Sequence, residues 1–123
     1  MEVEARLAGR RVLIVEDEAM IAALIEAVLS DAGCSVLPVA SARMALAAIE
    51  QDAFDAVVLD ISVRDGRSYL LADALIARGV PFVFVSGFSP KDMPADYRGC
   101  AYVAKPFKPD ALLAVLDKVV GAH

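Results

Sequence analysis

The chain has no tryptophan, two cysteines and a single histidine in 123 residues. That histidine is the last residue, His123, which argues against histidine-based catalysis and histidine-ligated metal sites. Cys34 and Cys100 are too few and too widely spaced for a structural zinc site, and read as free thiols of a reducing compartment. Basic residues are also scarce: 12 Lys and Arg face 17 Asp and Glu, for a formal net charge of −5 and a pI near 4.7. Without a Lys/Arg block, such a surface argues against nucleic acid or an anionic membrane as the main partner. No apolar run reaches the roughly 18 residues of a membrane-spanning helix. The best stretch, residues 20–29, is interrupted by Glu26. The opening Met-Glu-Val-Glu-Ala-Arg lacks the apolar centre of a secretory signal, so a cytoplasmic location is expected. What remains is a chain with 59% hydrophobic types, enough for one core and one domain.

Two kinds of segment alternate along it. Short β-branched runs lie at residues 11–15, 35–39, 56–59 and 82–85, with a weaker one at 101–104. Between them, apolar residues recur at helical spacing over 19–32, 41–51, 68–77 and 109–120. Gly33 and Gly79 stand where helices should end, and Ser41 where one should begin. Residues 89–98 contain Pro90 and Pro94 and few apolar positions; they read as a short, mobile helix or a loop. Strands and helical segments alternating every 20 to 25 residues predict β-α crossovers, hence an α/β fold with a parallel sheet covered on both faces. The first and third strands are the most apolar and should be central. The domain is expected over residues 10–121, with residues 1–9 as an N-terminal extension.

Ligands of open α/β sheets bind beyond the carboxyl ends of the strands. There this sequence places Glu16-Asp17-Glu18, Asp60, Ser86-Gly87 and Lys105-Pro106. Carboxylates gathered this closely repel unless a cation joins them. A donor set made of oxygen alone favours Mg²⁺ with several waters kept. A carboxylate beside such an ion, facing a lysine and a hydroxyl, is suited to accept a phosphoryl group, with Asp60 the natural nucleophile. Glu18 reads mainly as a helix-starting acid. Phe82 and Phe84 read as core, Phe88 as an exposed residue that either contacts a partner or does not, and Arg64 and Arg67 as solvated loop charges rather than guides for a phosphodonor. Cys34, Cys100 and His123 read as inert.

Lys105-Pro-Phe107, the acidic pair Glu16-Asp17, Asp60 and Ser86-Gly87, in this order and spacing, resemble the receiver domain of bacterial two-component response regulators. The resemblance runs from about Arg10 to Val120. It implies a flavodoxin-like, doubly wound five-stranded parallel sheet in the order 2-1-3-4-5. It further implies Asp60 as phosphoacceptor, with Glu16, Asp17, Asp60 and the Ser62 carbonyl around Mg²⁺. Ser86 takes the place of the switch hydroxyl, Lys105 that of the phosphate-pairing lysine, and Tyr102 that of the switch aromatic, an ordinary half-buried edge residue being the plainer reading. Pro106 would follow a cis peptide bond.

The sequence departs from the family pattern in two places. The loop after Asp60 reads Ile-Ser-Val-Arg-Asp-Gly66, shorter than usual and without proline. Residues 81–88, Pro-Phe-Val-Phe-Val-Ser-Gly-Phe, resemble the single-domain receivers with a Phe-Ala-Thr-Gly-Tyr signature.

The implied function is a phosphoacceptor that takes a phosphoryl group from a histidine kinase or histidine phosphotransfer protein, later hydrolyses it, and signals to a downstream protein by contact. Such a domain can stand alone or belong to a longer regulator. The alternative is a pseudo-receiver that only binds proteins. A small metal-dependent phosphatase is disfavoured, because no cap or long loop would enclose a soluble substrate. On phosphorylation Ser86 is expected to move toward the new oxygens, Tyr102 to turn inward, and part of residues 89–98 to become ordered.

Overall fold

The computed structural model describes residues 6–63, 65–87 and 89–122. Strands β1 (Arg11–Val15), β2 (Ser35–Val39) and β3 (Ala56–Leu59) are followed by two short strands, β4 (Ser62–Val63) and β5 (Gly66–Arg67). Strands β6 (Phe82–Ser86) and β7 (Tyr102–Ala104) complete the set. The helices are α1 (Ala19–Asp31), α2 (Ala42–Gln51), α3 (Tyr69–Arg78) and α4 (Pro109–Gly121). The main sheet runs β2-β1-β3-β6-β7, all neighbours parallel. Counted over the five expected strands, that is the order 2-1-3-4-5.

Strand periodicity sorts the core onto the two faces of this sheet. On β1, Val12 and Ile14 join Ile25, Leu29, Leu112 and Leu116 under α1 and α4. Leu13 and Val15 point the other way, to Ile49, Leu71, Leu75 and Phe84 under α2 and α3. All of β3 is buried, as a central strand covered on both faces should be. Edge strand β2 is mostly exposed. Ser41 caps α2, its Oγ accepting from the Met44 amide at 3.1 Å. Gly79 closes α3 with φ of +70°, in the left-handed region that glycine enters without strain.

Three features differ from the sequence expectation. The short loop after Asp60 is a two-stranded antiparallel hairpin, β4 with β5. Residues 89–98, expected as one short, mobile helix or a loop, hold two 3₁₀ helices, Pro90–Asp92 and Ala95–Tyr97. They are docked by Met93, 2% exposed, and by Tyr97, which stacks on Tyr69 at 4.6 Å and donates to Asp73 Oδ1 at 2.7 Å. Finally, packing begins upstream of residue 10: Leu7 is fully buried in the α1/α4 core, and the Gly9 amide donates to the Gly33 carbonyl at 2.8 Å. Residues 1–5, Arg64, Phe88 and His123 lie outside the described residues, as does the side chain of Arg67, so the readings made for them stand as expectations.

Candidate functional site

Strands β1, β3, β6 and β7 deliver their C-terminal residues to one cleft of about 500 Å³. Asp17, Glu18, Asp60, Ser62, Ser86, Gly87 and Lys105 line it. Parallel pairing makes this convergence automatic: Val15 pairs with Leu59 and Ser86 with Ala104, so the residues that follow emerge side by side.

Lys105 is the centre of the charge arrangement. Its Nζ donates to Glu16 Oε1 at 2.7 Å and to Asp60 Oδ2 at 3.0 Å. Glu16 lies buried behind the cleft and its other oxygen accepts from the Glu18 amide at 3.2 Å. Burial pushes the Glu16 carboxyl up, against the pull of Lys105 and the Glu18 amide, and the nearby Asp60 charge pushes the same way. Burial alone would lower the Lys105 ammonium, but the hydrogen bonds to Glu16 and Asp60 outweigh it and hold the lysine above its ordinary value. The lysine is therefore a fixed cation between two carboxylates.

Oxygens of Glu16, Asp17 and Asp60 all lie within 4.8 Å of one another. Carboxylate oxygens are the hard donors that Mg²⁺ takes. Cysteine and histidine are absent from it, which suits a hard cation. Among the described residues the donor set fits Mg²⁺.

Asp60 is fixed by its neighbours. Its Oδ1 accepts from the Ser62 amide at 3.3 Å, and its backbone carbonyl accepts from Ser68 Oγ at 2.7 Å. Ser86 is buried at the cleft wall, and Tyr102 donates from its hydroxyl to the Ser86 carbonyl at 3.0 Å. The half-buried Tyr102 ring packs against the α2/α3 core. The Lys105–Pro106 peptide is cis. Glu18 occupies the position before α1, yet its side chain makes no cap hydrogen bond; it faces the cleft instead.

Two residues near Asp60 escaped the sequence reading. Ser68 precedes α3 and looks like an ordinary helix cap. Asp65 looks like an ordinary turn residue before Gly66. In the structure Asp65 accepts from the amides of Ala42 and Arg43, at 2.9 and 3.0 Å, capping α2 from another part of the chain. Nothing local in the sequence signals a partner 23 residues away.

The doubly wound sheet, with an acid cluster, a strand-end aspartate and a lysine at one edge, is that of a flavodoxin-like α/β domain. A family model, Response regulator receiver domain, matches residues 12–117, and the chain belongs to that family. It is 35% identical over 123 residues to the transcriptional regulatory protein TcrA of Mycobacterium tuberculosis, covering 90% of this chain and 46% of TcrA. It is 31% identical over 114 residues to the phyllosphere-induced regulator PhyR of Methylorubrum extorquens, covering 89% of this chain and 43% of PhyR. Among solved structures, the chemotaxis response regulator CheY4 of Vibrio cholerae superposes with a TM-score of 0.81 at 26% identity. That superposition covers 91% of this chain and 99% of CheY4. The chain thus spans about half the length of the curated relatives it matches. No described helix is long and apolar enough to cross a membrane.

Proposed function

We propose that this receiver is a phosphoacceptor switch of a two-component pathway, phosphorylated on Asp60. The observation that carries the reading is the position of Asp60: its carboxylate faces the cleft, 3.0 Å from Lys105 Nζ and within 4.8 Å of oxygens of Glu16 and Asp17. A histidine kinase or histidine phosphotransfer protein is the donor. One Asp60 oxygen attacks phosphorus and forms the new O–P bond. The N–P bond of the donor phosphohistidine breaks, its electron pair stays on the imidazole nitrogen, and that nitrogen takes up a proton. Lys105 pairs with the transferred oxygens, and the Ser86 hydroxyl donates to one of them. Glu16, Asp17, Asp60 and the Ser62 carbonyl are the groups that would hold Mg²⁺, which when bound offsets the charge of the phosphoryl oxygens.

Output is by contact with a downstream protein, and the acidic balance of the chain speaks against nucleic acid as that partner. Hydrolysis of the aspartyl phosphate resets the switch; no turnover of a soluble substrate is part of this reading. Incubation with acetyl phosphate and Mg²⁺, followed by intact-mass measurement, should show one added phosphoryl group in the wild type and none in Asp60→Ala. Phosphate on the Asp60→Ala protein, mapped to another residue, would overturn the assignment.

A further inference from the structure

The serine before α3 is used in an unusual way. A serine at a helix N-cap ordinarily lends its oxygen to an amide of the first turn and so satisfies an orphan donor. Ser68 occupies that position, but its side chain makes no cap hydrogen bond. The hydroxyl instead points back and donates to the carbonyl of Asp60 at 2.7 Å, in a site where Ser68 is 0% exposed. The Ser68 amide donates to the Ile61 carbonyl at 2.8 Å. One residue therefore closes both peptide units that follow the Asp60 and Ile61 α-carbons, and the β4–β5 hairpin hangs from that closure.

The consequence falls on the cleft. Asp60 Oδ1 takes the Ser62 amide, and Ser62 is held in register opposite Arg67, next to Ser68. If the Ser68 hydroxyl is lost, the Asp60 carbonyl loses a buried partner and the Asp60-Ile-Ser backbone can rotate. The carboxylate then leaves the line it shares with Lys105. A shift of about 1 Å at a reacting group is enough to slow a positioned reaction by as much as 10²-fold.

We infer that Ser68 is a positioning residue for the phosphoacceptor, fixing the backbone of Asp60 so that its carboxylate meets the phosphoryl donor. The inference rests on the reading of Asp60 as phosphoacceptor. It implies that the first turn of α3 gives up a side-chain cap in favour of the geometry of the site.

The test compares Ser68→Ala, Ser68→Thr and Leu75→Ala. Leu75 is buried two turns further along the same helix, so it reports what loss of helix packing does. In metal-free protein, amide hydrogen exchange over residues 61–68 should quicken in Ser68→Ala relative to the rest of the domain, and not in Leu75→Ala. With acetyl phosphate at saturating Mg²⁺, Ser68→Ala should be phosphorylated at least about tenfold more slowly. Half-saturation by Mg²⁺ should move less than the rate does. Ser68→Thr, which keeps the hydroxyl, should recover most of the rate, while Leu75→Ala should keep the wild-type rate wherever it is folded. A Ser68→Ala protein with wild-type rate, or one whose rate falls only as far as that of Leu75→Ala, overturns the inference. A folded Ser68→Thr protein that recovers nothing does so too. If the wild type takes no phosphate at all, the phosphoacceptor reading fails. The exchange measurement then decides alone whether Ser68 holds the loop, and unchanged exchange rejects it.

Discussion

Lys105 sets the charge balance of the cleft. Its ammonium touches Glu16 at 2.7 Å and Asp60 at 3.0 Å, and so offsets the repulsion that two converging carboxylates would feel. The same contacts pin Asp60 where a phosphoryl group would have to arrive. Removing the lysine leaves Glu16 buried without its cation, and breaking a buried pair from one side costs about 3–5 kcal/mol. Lys105 keeps some contact with water, so Lys105→Met should lower stability by less, about 2 kcal/mol at neutral pH. Mg²⁺ should narrow that deficit, because the ion supplies to Glu16 and Asp60 the positive charge that the variant lacks. Urea unfolding of both proteins with and without Mg²⁺ measures this directly. A deficit that Mg²⁺ leaves unchanged would show that the lysine and the ion do not share these carboxylates.

The N-terminus of α2 is held twice. Ser41 satisfies the Met44 amide from within the helix start, and Asp65 satisfies the Ala42 and Arg43 amides from the tip of the β4–β5 hairpin. The second cap joins the loop after Asp60 to a helix on the same face of the sheet, and it adds a negative charge at the positive end of the helix dipole. The two backbone amides hold the Asp65 carboxyl below its ordinary value. A lowered folded-state value contributes stability above the unfolded value and loses it as pH falls through the folded one. The stability gap between wild type and Asp65→Asn, which keeps an acceptor but not the charge, should therefore be constant from neutral pH to about pH 4 and close below it. Denaturant midpoints across the acid range test this, and a gap that persists at the acid end would mean that the charge is irrelevant. The docking of residues 89–98 behaves in the opposite sense. The hydrogen bond to Asp73 is the main reason the Tyr97 phenol is pushed up to about 12. A raised value means that this contribution is complete below the phenol's ordinary value near 10 and is lost as pH climbs toward 12. Tyr97→Phe should remove that alkaline dependence and leave the neutral-pH fold in place, as near-ultraviolet dichroism across the alkaline range would report.

At the scale of the molecule, most of the fold was legible because strand and helix periods are properties of the local sequence. The runs at residues 11–15 and 56–59 announce buried central strands, and the residues that follow each strand must meet at one sheet edge once the pairing is parallel. Asp60, Glu16, Asp17, Ser86 and Lys105 could be read in that way. What could not be read depends on contacts between distant segments. Asp65 and Ser68 have the look of turn and cap residues, and only the folded chain shows which carbonyl or amide each one reaches. Residues 89–98 look loose because they carry two prolines, yet Met93 and Tyr97 find partners on α3 and in the core beneath it. The N-terminal boundary is of the same kind. Leu7 is the one large apolar residue between Val3 and Val12, but it is 0% exposed beneath α1 and α4. Its carbonyl accepts from the Cys34 thiol at 3.4 Å, and the neighbouring Arg6 pairs with Asp117 on α4 at 3.3 Å. Residues 6–9 therefore tie the first strand to the last helix and close the α1/α4 core at its lower end. Truncating a fully buried leucine costs about 2–5 kcal/mol through lost burial and the cavity left behind. Leu7→Ala should fall near the middle of that range and lower the melting temperature by roughly 10 °C. Arg6→Ala, which removes only a half-exposed ion pair, should cost about 1 kcal/mol or less. Thermal unfolding of the two variants separates the contributions. If Leu7→Ala melts with the wild type, the segment before residue 10 lies on the domain without helping to hold it together.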